Sequence, residues 1–288
     1  CLPYVMVAGF SKCGTTALCS KLVLHPEIKP YRKKEINIFT KYFYKKEKSE
    51  NEPVNLLYFG RFCPYTKVNL VPLIRMLGLV RFYSKKDFTI TFAGSDNINY
   101  ISYLKKEAEC EGVEIEFETN VSEKRKTEIY SEADIFLAPS NNAQETFGIT
   151  LVEALASGLP IVGYDWSGYR DIVQEGYNGF LSKTKLSKNV IIRPFKLDYL
   201  NQNEFSNCVT VHEGSFVANV LRLIRNRNLL KTMSENAFKS SKKYDWELVI
   251  QDFLNSWQNL SKVCLKKKIS KLQSMDYYKI FSHYASED

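Results

Sequence analysis

The sequence predicts an α/β protein built on a doubly wound parallel sheet, with a helical tail after it and a short strand-loop-helix segment before it. Three observations predict this. From Asn55 to Tyr164, short runs rich in β-branched and aromatic residues alternate with stretches of helical periodicity, the order of a parallel sheet covered on both faces. The 288 residues are 44% hydrophobic and 25% charged, enough to bury the core of one or two ordinary globular domains. Beyond the sheet, Gly214 to Lys243 has the pattern of two amphipathic helices and Trp246 to Leu260 that of a third.

The first element is a buried strand at Pro3 to Gly9, then a loop from Phe10 to Thr16 and a helix from Ala17 to Leu24. A polar stretch, Lys45 to Pro53, ends in proline and reads as a linker. Domains are therefore expected at 1–45 and 54–262, with a linker over 46–53 and a basic tail over 263–288. In the second domain the predicted strands are Asn55 to Gly60, Phe88 to Gly94, Val113 to Phe117, Asp134 to Pro139 and Pro160 to Tyr164. The helices between them are Val68 to Leu79, Asn99 to Glu111, Glu123 to Glu132 and Ile149 to Ser157. Pro72 sits inside the first of these, where an interior proline costs about 3 kcal/mol, so that helix is expected to start late or bend. Gly158 followed by Pro160 reads as a helix C-cap and a stop. From Leu181 to Phe205 no periodicity is evident, and a long loop or insertion is expected there.

Composition excludes several function classes. The net charge of +8 and pI of 8.9 suit anionic ligands such as nucleotides, or peripheral contact with an acidic membrane surface. No basic-aromatic motif accompanies the charge, so nucleic acid is not an expected partner. The seven cysteines are odd in number and never spaced C-x-x-C; a reduced cytoplasmic setting fits them better than a disulfide framework or zinc site. The three histidines are far apart, so no metal is expected. No stretch has the roughly 18 uncharged apolar residues of a membrane span. The first residue is Cys rather than Met, which suggests a fragment or a processed product. Oligomeric state is left open by the sequence.

The chemistry concentrates in two places. Glu145 and Glu153 lie eight positions apart, around the turn Phe147-Gly148 and the helix start Ile149-Thr150. Eight residues of helix would rise about 12 Å, too far for the roughly 5 to 9.5 Å carboxyl pair that flanks a glycosidic bond. Two grips on one long polar ligand fit better. Arg61 and Lys67 follow the first strand of this domain, at the carboxyl end where doubly wound sheets bind ligands. Read without a ligand, Glu145 is an acid favoured by the helix dipole and the two cations are surface charges. An unpaired Glu153 among Leu151, Val152, Ala154 and Leu155 would be costly to bury.

These residues resemble the family-4 glycosyltransferases, retaining enzymes of the GT-B fold, through the E-x7-E spacing of Glu145 and Glu153. Further points of resemblance are Gly60-Arg61 to Lys67, Asp165 to Asp171, Gly176 to Leu181 and Tyr244-Asp-Trp246. The family usually has glycine after the lysine, where this chain has Val68, and Glu where it has Asp171. The resemblance implies a Rossmann-like domain, one half of a GT-B fold, that binds a nucleotide-diphosphate sugar and needs no cofactor. By carry-over Arg61 and Lys67 neutralise the diphosphate, Glu145 faces the sugar, and Glu153 takes the ribose diol near Phe147, Gly148, Ile149 and Thr150. Transfer to a glycan or lipid-linked acceptor, with the donor's own phosphate as base, follows from the same resemblance. The acceptor-binding domain of the family is not found in the residues before the linker. A non-catalytic nucleotide-sugar binding fragment is the alternative.

The first segment points elsewhere. Strand, Gly9, Lys12, Gly14 and the hydroxyls of Thr15 and Thr16 make a phosphate cradle. Lys12 precedes the second glycine, unlike the common nucleoside-triphosphate loop. The loop resembles the 5′-phosphosulfate loop of PAPS-dependent sulfotransferases, with Ser11 in place of their usual proline and His25-Pro-Glu and Lys33-Lys-Glu35 downstream. That implies PAPS as a ligand of this segment, and a sulfotransferase fragment or a bifunctional glycosyl- and sulfotransferase as a further alternative.

Overall fold

Four apolar runs become the middle of a sheet because both their faces are covered. The structure is a computed structural model that describes residues 52–187 and 206–256, apart from residues 66, 143, 144, 146, 246, 247, 250, 253 and 254. The segment 1–45, most of the 46–53 linker, much of the helix expected from Trp246 and the tail 263–288 lie outside the described residues. The strands are β1 (Val54–Phe59), β2 (Phe88–Gly94), β3 (Glu116–Thr119), β4 (Ile135–Ala138), β5 (Ile161–Tyr164) and β6 (Gly179–Ser182). They form one sheet in the order β3-β2-β1-β4-β5-β6, parallel throughout. All residues of β4 and β5 are buried, the unbroken apolar run of a strand covered twice. The edge strand β3 instead carries Glu116 and Glu118.

Helices α1 (Val71–Tyr83), α2 (Ile101–Cys110), α3 (Glu123–Glu132), α4 (Ile149–Ala156) and α5 (Tyr169–Ile172) connect the strands. Helices α6 (Glu213–Arg225) and α7 (Arg227–Ser241) follow. Strand alternation sorts the core into two layers. Leu56 and Tyr58 pack with Leu73 and Leu77 of α1, Leu104 of α2 and Phe216 and Leu223 of α6. Leu57, between them, packs on the other side with Ile129 of α3, Leu151 and Leu155 of α4 and Ala237 of α7. The chain builds outward from β1 to β3, then returns to β4 and builds the other way. This is the Rossmann-like order, and its crevice opens at the carboxyl ends of β1 and β4.

Three local features differ from the sequence expectation or sharpen it. Helix α1 begins at Val71, leaving Pro72 in its first turn, where the missing N–H has no helical partner to lose. Strand β3 starts at Glu116 rather than Val113. Val113 N–H donates to Ala108 O at 2.9 Å and Gly112 N–H to Glu109 O at 3.1 Å, so the apolar Val113 closes a Schellman cap on α2. The same cap ends α4, with Leu159 N–H on Ala154 O at 2.8 Å and Gly158 N–H on Leu155 O at 2.9 Å. Finally, the region expected to be irregular after Leu181 begins with β7 (Thr184–Leu186), which pairs antiparallel with β8 (Val209–Val211); residues 188–205 are outside the described residues.

Candidate functional site

The crevice is made by close approach of two strand ends. A Cβ on Gly94 would lie 1.7 Å from Gly60 O, and Gly60 N–H donates to Ala93 O at 2.9 Å. The loop after β1 then runs over the sheet with Arg61 exposed and Phe62 fully buried. Lys67 and Val68 N–H groups both donate to Cys63 O, at 3.0 and 3.3 Å. Val68, where the resembled family has glycine, is buried in the core and is not among the residues of positive φ, so the turn is made without a glycine there.

The loop after β4 meets this one. Lys67 Nζ pairs with Glu145 Oε2, and Glu145, 8% exposed, donates its N–H to Asn142 O at 3.0 Å. Asn142 in turn donates Nδ2–H to Lys67 O at 3.2 Å and accepts from Trp166 Nε1 at 3.0 Å. One buried asparagine thus ties together the loops after β1, β4 and β5. Two buried phenols lie beneath. Tyr58 is pushed well above the usual tyrosine range by burial and then by the Glu145 charge, with Arg61 opposing. Tyr169 is raised by burial, then by Glu145 and Tyr58. The Arg61 and Glu145 charges therefore both act on the Tyr58 phenol, whose OH donates to Arg61 O at 3.4 Å.

Glu145 stands before α4 rather than in it, so only the later part of the eight-residue interval rises as helix; the 12 Å of a continuous helix is not the separation here. Gly148 caps α4 at φ +85, and a Cβ there would meet the Tyr169 ring at 2.8 Å. A left-handed glycine against an aromatic face lets the helix start sit close to the crevice. Phe147 and Ile149 are partly exposed around it and Thr150 is half-buried, and Phe147 packs edge-on against Tyr244, 5.8 Å between centroids. Ser167, not Gly168, takes the left-handed position in the turn after β5.

Glu153 occupies a separate position. It is 6% exposed and points to α3, where Lys126 Nζ pairs with its Oε1 and Tyr130 OH donates to Oε2 at 3.0 Å. Burial raises its carboxyl above the usual range, while Lys126 and Tyr130 oppose that shift. The structure therefore brings Arg61, Lys67 and Glu145 into one cluster and sets Glu153 in another. Sequence reading missed Asn142, Trp166, Lys126 and Tyr130. The i,i+4 spacing of Lys126 and Tyr130 puts them on one face of α3 but does not mark that face as the inward one; the Asn142 tie spans 75 residues and leaves no local trace. Lys12, Gly14, Thr15 and Thr16 lie outside the described residues.

The profile of the glycosyl transferases group 1 family matches residues 40–207. An uncharacterized glycosyltransferase of Methanocaldococcus jannaschii is 26% identical over 213 residues, 71% of this chain and 48% of that protein. The chain spans about half the length, or less, of the curated relatives it matches. The structure is similar to the C-terminal domain of a glycosyl transferase group 1 protein of Francisella tularensis, with TM-score 0.53 and 17% identity, over 73% of this chain and 100% of that one. It is also similar to an Anabaena protein, HepE, in complex with UDP and glucose, with TM-score 0.51 and 19% identity, over 73% of this chain and 49% of that one. With its switch-point crevice, its clustered cations and carboxylate, and a family match over more than half its length, this chain belongs to the glycosyl transferases group 1 family.

Proposed function

We propose that residues 54–262 are the donor-binding half of a retaining, family-4 type glycosyltransferase of the GT-B fold. It would move a sugar from a nucleotide-diphosphate donor to a glycan or lipid-linked acceptor. The observation that carries this reading is the meeting of Arg61, Lys67 and Glu145 where the strand order reverses. Cations from the loop after β1 suit a diphosphate, a carboxylate from the loop after β4 suits sugar hydroxyls, and Glu153 suits the ribose diol.

In this reading the bond that breaks joins the anomeric carbon to the diphosphate oxygen, and the bond that forms joins that carbon to an acceptor oxygen on the same face. The acceptor's proton passes to the departing phosphate. Negative charge grows on the diphosphate as it leaves, so fixed cations at Arg61 and Lys67 stabilise the transition state more than the bound donor. Lys67 is paired with Glu145 before the donor arrives, so donor binding exchanges that pair for contacts of each member with the ligand. The likeness to a protein in complex with UDP and glucose supports a nucleotide-sugar donor.

The test is a calorimetric titration with nucleoside diphosphates and their sugar conjugates on the native chain and a Glu153→Gln variant. Loss of the charged hydrogen bonds to the ribose is expected to weaken both ligands equally, by about 1 to 3 kcal/mol. A variant that binds nucleotide as the native chain does would take Glu153 out of the ribose role.

A further inference from the structure

Glu153 is held from α3 in a way that the ribose role does not by itself require. Its Oε1 accepts from Lys126 Nζ and its Oε2 from Tyr130 OH, and the Lys126 ammonium also lies 5.4 Å from the centre of the Phe59 ring. Both charged side chains are largely covered, Lys126 at 18% exposure and Glu153 at 8%. A carboxylate has about four lone-pair positions. The two contacts from α3 take one on each oxygen, leaving one on each, which matches the two O–H donors of a vicinal diol. The carboxylate is thus aimed and half-saturated before any ligand arrives.

We propose that Lys126 is the positioning residue of the nucleotide site, holding Glu153 ionised and turned so that its remaining lone pairs receive the ribose hydroxyls. The inference rests on the assignment of Glu153 to the ribose made above. A buried carboxylate without a counter-charge takes up a proton and becomes a donor on one oxygen, which spoils it as an acceptor for two hydroxyls. The Lys126 charge opposes this, and Tyr130, one turn along α3, fixes the plane of the group.

The sign of the pH dependence follows from the groups around Glu153. From α3 these are Lys126 and Tyr130, which lower its pKa, and Glu123, which raises it; burial raises it most. Strand β1 presents the uncharged Phe59, and α7 reaches the end of α4 through Ser234 Oγ on Gly158 O at 2.6 Å. Removing Lys126 takes away the main opposing charge, so Glu153 keeps its proton to higher pH. Binding that needs the carboxylate then fails on the acid side.

The experiment is a titration of the whole chain with UDP, GDP and ADP from pH 6 to pH 9 on the native protein, Lys126→Met, Lys126→Arg, Glu153→Gln and the double variant Lys126→Met/Glu153→Gln. Affinities are taken as ratios to the native protein at the same pH, which cancels the ligand's own titration. Lys126→Met is expected to bind about tenfold or more weakly at pH 6 and to recover toward the native value at pH 9, whereas Lys126→Arg stays near it throughout. In the double variant the loss of Lys126 adds less than about twofold to the effect of Glu153→Gln alone. A Lys126→Met effect that is absent, or equal at every pH, or undiminished in the Glu153→Gln background overturns the proposal while leaving the nucleotide site standing. Native protein that binds none of the three nucleotides overturns the ribose assignment, and this inference with it.

Discussion

Replacing Glu145 by Gln is expected to lower the rate of sugar transfer by about a hundredfold or more, a loss near 2.7 kcal/mol of transition-state stabilisation, while the affinity for free nucleoside diphosphate stays within about threefold. The substitution keeps the size and shape of a side chain that is only 8% exposed, and the Glu145 N–H bond to Asn142 O is a backbone contact that survives it. What it removes is the charge facing Lys67, Tyr58 and Tyr169. Lys67 then has no carboxylate to leave when a diphosphate arrives, so nucleotide binding does not suffer. In the proposed reading the sugar loses the group that fixes its hydroxyls, and positioning and charge at the reacting carbon are where the rate is made. Transfer or donor hydrolysis measured beside nucleotide titration separates the two quantities; equal losses in both would end this division of roles.

Gly94→Ala is expected to destabilise the domain by about 3 kcal/mol, lowering its melting temperature by roughly 6 to 12 °C. The added Cβ would stand 1.7 Å from Gly60 O, and Gly94 has φ +154, so both the backbone and its neighbour must move. The obstacle is main chain, which cannot swing aside as a side-chain tip would. Gly60 precedes Arg61, and Asn120 N–H donates to Gly94 O at 2.7 Å; separating β1 from β2 here therefore also displaces the cation loop. Thermal melting followed by circular dichroism checks the prediction, and a melting point within a degree or two of the native protein contradicts it.

The sheet was legible where strands were apolar and covered on both faces. β1, β2, β4 and β5 fall within a residue or two of the runs that announce them, because burial on both faces leaves little room for polar residues. β3 was misplaced by Val113, whose apolar side chain serves a helix cap and not the strand. β6, β7 and β8 are three or four residues each and interrupt their apolar residues with glycine, serine, threonine or lysine, so no unbroken apolar run announces them. At the site, Glu153 stood out because a carboxylate within an apolar helix is costly to bury without a partner; Arg61, Lys67 and Glu145 stood out by their place after strands and before a helix, and by the family spacing. Lys126 did not, since a lysine in Glu-Lys-Arg-Lys-Thr-Glu reads as a solvated helix face; only the packing of α3 against α4 turns it inward. Asn142 and Trp166 act through long-range hydrogen bonds that no local pattern encodes.

The central claim is that the cations after β1 receive a nucleotide diphosphate, and a calorimetric titration of the chain with UDP, GDP, ADP and adenosine 3′,5′-bisphosphate tests it most directly. The native chain is expected to bind one of the three nucleoside diphosphates, and Arg61→Ala to bind it about 10- to 100-fold more weakly, the value of one or two charge-assisted hydrogen bonds. Binding of none of these diphosphates, binding indifferent to Arg61, or binding of the bisphosphate alone would contradict the account.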